Sequence, residues 1–136
     1  VICQPNNNEV ALMGELSAET LQQKGVRGYI VDGGARDLDF ILKIDFPLWS
    51  SFNTPRDVVG YWQPTKFEQP IKIGNTTISN NDYVLADIDG VVIIPSKIIQ
   101  NVLDRAEKLI STENLVRKSI REGMDPQEAY LKYSVF

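Results

Sequence analysis

Apolar positions open the chain in short runs separated by turn-forming clusters. Val1–Gln4 and Val10–Met13 flank Pro5-Asn6-Asn7-Asn8, a sequence that bends the backbone, and both runs read as strands. Glu15–Lys24 is rich in helix formers and stops at Gly25, a residue suited to the left-handed end of a helix. Gly28-Tyr29-Ile30-Val31 is nearly continuous in apolar character, as expected of a strand buried on both faces, and Asp32-Gly33-Gly34 predicts a turn after it. Asp37–Ile44, with Leu38, Ile41 and Leu42 apolar, predicts a short helix ahead of Phe46-Pro47-Leu48-Trp49. Residues 50–69 hold four aromatics without periodicity and predict a long irregular segment.

Two hairpins follow. Ile71-Lys72-Ile73 and Thr77-Ile78 flank Gly74-Asn75, and Tyr83–Ala86 and Val91–Ile94 flank Asp89-Gly90. From Ser96 the period becomes helical, with Ile98, Ile99, Val102, Leu103, Ala106, Leu109 and Ile110 on one stripe. A second helix is expected from about Thr112 to Glu122, stopping at Gly123. A third starts at Asp125-Pro126-Gln127-Glu128, with Asp as cap and Pro in the first turn. Strand–helix alternation followed by hairpins and C-terminal helices predicts an α/β fold, in one domain over residues 1–136.

Composition narrows the chemistry. A net charge of −4 and no Lys/Arg run disfavour a nucleic-acid partner, and no stretch has the length of a membrane span. Lone Cys3 fits a reducing compartment, so a cytoplasmic location is expected. The chain has no histidine. Ser-His-Asp and Cys-His triads and His-bearing zinc sites therefore drop out, and any metal would bind through oxygen, as Mg²⁺, Mn²⁺ or Ca²⁺ do. Acid–base work falls to carboxylates, Lys, Tyr or bound water.

Chemistry concentrates at two strand–turn–helix junctions, Gly14-Glu15-Leu16-Ser17 and Asp32-Gly33-Gly34-Ala35-Arg36-Asp37. Helix N-termini present free N–H groups that suit anions. Arg36 can clamp a carboxylate with two parallel hydrogen bonds, and Asp37 offers a hard oxygen to a divalent cation. The 22 positions between Gly14 and Arg36 span one helix and one strand, so a β-α-β unit brings both turns and the acid Glu15 to one sheet edge. Read as plain structure, the same residues are a turn with a surface ion pair and helix-start caps. Asp87 and Asp89 are read as a hairpin turn, and Trp49, Phe52, Tyr61 and Trp62 as packing or subunit-contact residues.

The block from Gly14 to Asp37, G-E-L-S-A-E-T-L-Q-Q-K-G-V-R-G-Y-I-V-D-G-G-A-R-D, closely resembles the RraA-like family. That family holds regulators of RNase E activity and class II pyruvate aldolases such as 4-hydroxy-4-methyl-2-oxoglutarate aldolase. The resemblance continues in Asn81-Asp82, in Ala86–Pro95 and in the tail Glu113–Phe136. It implies a swivelling β/β/α-type domain, assembled as a homotrimer or hexamer with sites between subunits. Family chains extend further at the N-terminus, which together with the strand-like Val1-Ile2-Cys3-Gln4 predicts that this chain is the C-terminal two thirds of a longer one. In the aldolase branch, Gly14, Glu15, Leu16 and Ser17 would bind a pyruvyl carboxylate and Arg36 would contact the keto or enolate oxygen. Asp37 would hold Mg²⁺ (or Mn²⁺), and Glu15 would orient a water that moves protons. Two positions depart from the aldolase pattern: Glu15 stands where Asp is favoured, and Phe40 where an acid is common.

The resemblance, together with these residues, implies a divalent-metal-dependent carbon–carbon lyase acting on a small pyruvyl or dicarboxylic acid. Its reaction would be retro-aldol cleavage of 4-hydroxy-4-methyl-2-oxoglutarate or decarboxylation of oxaloacetate. The alternative is a non-enzymatic RraA-type regulator of an RNase E-like ribonuclease. Relatives have carried a menaquinone methyltransferase label, but no glycine-rich loop suited to S-adenosylmethionine follows the first strand.

Overall fold

A single central strand organises the N-terminal part of the chain. The computed structural model describes residues 1–134, so the last two residues of the tail quoted above lie outside it. The elements run β1 (Ile2–Cys3), β2 (Ala11–Met13), α1 (Glu15–Gln23), β3 (Tyr29–Ala35), α2 (Leu38–Lys43) and β4 (Leu48–Asn53). They continue with β5 (Ile71–Ile73), β6 (Thr76–Ile78), β7 (Tyr83–Ala86), β8 (Val91–Ile94), a 3₁₀ turn (Ser96–Ile98), α3 (Ile99–Arg121) and α4 (Pro126–Tyr133). Two compact units result: Val1–Asn80 with Ala86–Val91, and Asn81–Leu85 with the segment from Val92 onward.

In the first unit β3 pairs in parallel with β1, β2 and β4. β1 meets its first half (Ile2 opposite Ile30) and β2 its end (Ala11 opposite Gly34), so the two follow each other along one edge. β4 lines the other edge from Leu48 opposite Tyr29 to Asn53 opposite Ala35. Parallel pairing places the carboxyl ends of β2, β3 and β4 at one sheet edge, where α1, α2 and the segment after Asn53 begin. The core beneath is built from Met13, Ala18, Tyr29, Val31, Ala35, Ile41 and Phe46, with α1 contributing Ala18 and α2 Ile41. The separate β5–β6 hairpin is antiparallel, with Lys72 opposite Thr77.

Three sequence expectations are corrected here. Asp32-Gly33-Gly34 is not a turn: β3 runs through it to Ala35. These glycines serve close approach, since a Cβ on Gly34 would stand 2.6 Å from the Val10 carbonyl and 2.8 Å from the Phe52 ring. Residues 50–69 are not irregular throughout, because β4 extends to Asn53, its backbone satisfied by β3 despite weak alternation. The expected break between two helices near Thr112 is absent: α3 is continuous over 23 residues, with Ser111 and Thr112 hydroxyls donating back to the carbonyls of Glu107 and Lys108.

The aromatics of residues 49–62 are tied down within the first unit. Trp62 Nε1 donates to the Pro5 carbonyl at 2.9 Å and Trp49 Nε1 to that of Asp87 at 2.8 Å. The Asp87 side chain closes its own turn by accepting from the Asp89 amide at 2.8 Å, as the hairpin reading expects. In the second unit α4 starts as read, with Asp125 Oδ1 accepting from Gln127 N at 2.8 Å and Glu128 N at 3.2 Å. Val116 and Ala129 are buried, and Ser119 Oγ meets the Tyr133 hydroxyl at 3.0 Å. The stripe of α3 is less covered: Leu103, Leu109 and Ile110 are about half exposed. Among the described residues, no helix is long and apolar enough to cross a membrane.

Candidate functional site

The carboxyl edge of the parallel sheet is where open α/β folds place ligands, because helix starts and loops converge there. Here the chain leaves β2 at Gly14, β3 at Arg36 and β4 at Thr54. The three exits are stitched together by backbone hydrogen bonds. Arg36 N donates to the Met13 carbonyl at 2.9 Å, and Thr54 N to that of Ala35 at 3.0 Å. Together they open a cleft of about 350 Å³ lined by Ala35, Arg36, Asp37, Leu38, Asn53, Thr54 and Pro55.

Asp37 is the N-cap residue of α2, in the left-handed region at φ 57°, yet its carboxylate does not cap that helix. Instead Oδ2 accepts from the Glu15 amide at 3.2 Å, the first free N–H of α1. The backbone fold of one helix start therefore aims the carboxylate at the start of another. Asp is among the residues that tolerate this conformation. Gly14 makes the approach possible, since a Cβ there would lie 2.8 Å from Asp37 Oδ2 and 3.0 Å from Arg36 Nε.

Arg36 spans two carboxylates. Its Nε lies 3.6 Å from Asp37 Oδ2 and its Nη1 2.8 Å from Asp57 Oδ2, with the side chain 38% exposed. Asp57 Oδ1 accepts from the Val59 amide at 2.8 Å. That amide, and then Arg36, hold the Asp57 carboxyl below the usual carboxylate range. One guanidinium between two carboxylates leaves the trio with a single net negative charge.

The sequence-predicted residues are distributed as follows. Gly14, the Glu15 amide, Arg36 and Asp37 meet at one point. Leu16 and Ser17 occupy the exposed first turn of α1, whose next amide, Ala18 N, already bonds the Gly14 carbonyl at 3.0 Å. The residues 14–17 do not line the cleft itself. Phe40 is 48% exposed and lies under the Lys43 ammonium, 4.9 Å from the ring centroid. Asp57, Asn53 and Thr54 escaped the sequence reading. The available signal was topological: the segment after a third parallel strand must leave from the same sheet edge as Gly14 and Arg36. Among the described residues, no group of three or more Asp, Glu or Cys side chains forms a ready-made metal cage.

Fold and site define a parallel α/β domain whose carboxyl edge carries an Arg-Asp cleft. The family model described as RraA-like, Aldolase/RraA, matches residues 1–93, and the chain belongs to that family. A protein of Halalkalibacterium halodurans named "Putative 4-hydroxy-4-methyl-2-oxoglutarate aldolase" is 26% identical over 126 residues, covering 90% of this chain and 58% of that protein. One of the same name from Pseudomonas syringae pv. tomato is 30% identical over 88 residues, covering 63% and 52% respectively. Among solved structures, Streptomyces coelicolor RraAS2, described as an unusual member of the RNase ES inhibitor RraA protein family, superposes with a TM-score of 0.79. It is 25% identical, with 86% of this chain and 60% of that one covered. An uncharacterized protein from P. syringae pv. tomato shares the fold at a TM-score of 0.91 and 23% identity, covering 97% and 62%. The chain spans about half the length of the curated relatives it matches.

Proposed function

We propose that this chain belongs to a divalent-metal-dependent carbon–carbon lyase acting on pyruvyl acids. Two reactions suit the site: retro-aldol cleavage of a 4-hydroxy-4-methyl-2-oxoglutarate-type substrate, and decarboxylation of oxaloacetate. The observation that carries the reading is Arg36 held between Asp37 and Asp57 in an open cleft, with Asp37 on the Glu15 amide that starts α1.

The donor set fits Mg²⁺ or Mn²⁺. Mg²⁺ keeps much of its water and needs only one or two carboxylates, whereas Ca²⁺ prefers six to eight oxygens; Asp37 with waters and substrate oxygens suits the former. Charge agrees, because a trio with net negative charge repels a carboxylate substrate until a dication reverses the sign. When bound, the cation supplies Lewis-acid stabilisation of negative charge on the substrate's oxygens.

The chain's own groups do the rest. The first-turn amides of Leu16 and Ser17 receive the pyruvyl carboxylate at a helix N-terminus. Arg36 donates to the keto oxygen and holds it more strongly as it gains enolate charge, which is differential stabilisation of the transition state. Glu15 orients a water that takes the proton from the substrate hydroxyl in aldol cleavage and returns one to the pyruvate carbon. No imidazole is needed in this scheme.

Similarity to RraAS2 and the exposed Phe40 favour a second reading, a regulator that binds an RNase E-like enzyme. Pyruvate release from oxaloacetate and from 4-hydroxy-4-methyl-2-oxoglutarate, with Mg²⁺ present, separates the two. Release from either supports the lyase. Silence on both, with inhibition of an RNase E-like ribonuclease on addition of the protein, supports the regulator.

A further inference from the structure

An arginine fork on a flexible stem samples many rotamers, and its value to a reaction depends on the few that point correctly. Burial does not restrict Arg36, which keeps 38% of its side chain exposed. Its two carboxylate contacts are unequal: 3.6 Å from Nε to Asp37 and 2.8 Å from Nη1 to Asp57. The nearer partner is itself immobilised. Asp57 gives one oxygen to Arg36 and the other to the Val59 amide at 2.8 Å, so both ends of the carboxylate are engaged. Its segment is fastened on either side. The Ala11 amide donates to the Arg56 carbonyl at 2.9 Å, Arg56 Nη1 pairs with Glu9 at 2.7 Å, and Arg56 lies over the Tyr61 ring at 4.4 Å.

We propose that Asp57 is a positioning residue for Arg36, fixing the guanidinium so that its remaining donors face the cleft. This rests on the lyase reading. A solvent-exposed ion pair without such a role contributes almost nothing and can be lost without consequence. A misplaced catalytic donor, by contrast, costs roughly 10–100-fold in turnover. The scheme assigns Asp57 no contact with substrate, so its removal is expected to change the orientation of Arg36 and leave the assigned substrate contacts in place.

The test combines kinetics with a signal from Arg36 itself. Oxaloacetate decarboxylation and 4-hydroxy-4-methyl-2-oxoglutarate cleavage are measured with Mg²⁺ for the parent, Asp57→Asn, Asp57→Glu, Arg36→Lys and the Arg36→Lys/Asp57→Asn double variant. In parallel, the Arg36 Nε–Hε cross-peak is followed by ¹⁵N NMR. The expected result is a kcat roughly 10–100-fold lower in Asp57→Asn with KM within about twofold, partly restored in Asp57→Glu. Adding Asp57→Asn to Arg36→Lys should change kcat by less than about twofold, as for two residues acting through one contact. The Arg36 cross-peak should broaden or shift in Asp57→Asn. An Asp57→Asn variant with parental kcat overturns the proposal, as does an equal loss in both backgrounds. If the parent turns over neither pyruvyl substrate, the lyase reading fails by itself. The NMR signal then decides: an Arg36 cross-peak unchanged in Asp57→Asn overturns the positioning role, and a broadened one supports it.

Discussion

At the scale of single residues, the site depends on an absent side chain. Gly14 has φ −141° and ψ 178°, extended values that any residue adopts, so its need for glycine is purely steric. Gly14→Ala puts a methyl carbon 2.8 Å from Asp37 Oδ2 and 3.0 Å from Arg36 Nε, so the Asp37 carboxylate must shift. The expected outcome is a loss of turnover of roughly 10-fold or more with the melting temperature little changed, checked by paired kinetics and thermal denaturation. Cys3 offers a separate prediction. Burial pushes its thiol above the ordinary range, against the smaller opposing effect of its hydrogen bond to Tyr29, and burial raises the Tyr29 hydroxyl too. For a group raised on folding, stability is retained below its unfolded pKa and lost as pH rises through the folded value. Denaturant unfolding should therefore show stability falling above about pH 8.5, and Cys3→Ala should flatten part of that fall.

At the scale of elements, α4 is held by a cap that the sequence announces. Asp125→Ala removes an acceptor for two amides and should cost about 1 kcal/mol, visible as faster hydrogen exchange in residues 126–133. That helix was legible because its signals are local: Asp, Pro and Glu within four positions. So were α1, which ends near Gly25, and both hairpins. The misread places depend on distant neighbours. Asp32-Gly33-Gly34 has turn composition, but Pro5, Val10 and Phe52 press on it and only glycines fit a strand there. β4 shows weak alternation in its sequence, and its strand state rests on backbone pairing with β3 along its length. The site followed the same rule. Gly14, Glu15, Arg36 and Asp37 were visible because one β-α-β unit joins them. Asp57 lies twenty-one positions past Arg36 and reaches it only through the parallel pairing of β3 with β4.

For the whole molecule, the apolar surface left open by one chain bears on assembly. Ile98 of the 3₁₀ turn and Leu103, Leu109 and Ile110 of α3 are between 41% and 55% exposed, as are Tyr83 and Val84 of β7. Large apolar side chains left this exposed are suited to contact with other protein. We expect a homotrimer or hexamer in sedimentation or light scattering, and Leu109→Lys should shift the population toward monomer. A monomeric parent at micromolar concentration would contradict that assembly.

On the proposed reading, the Arg36–Asp37 cleft would carry metal-dependent chemistry on a pyruvyl acid. An amide is a poor ligand for Mg²⁺, and loss of one such charge contact typically costs about 3–4 kcal/mol, or roughly 10²–10³ in rate. The most direct measurement is pyruvate release during a Mg²⁺ titration after EDTA treatment, for the parent and for Asp37→Asn side by side. EDTA should silence the parent, Mg²⁺ should restore it, and Asp37→Asn should stay roughly 10²–10³-fold lower across the titration. Parental turnover in EDTA, or an Asp37→Asn variant as active as the parent, would contradict that reading.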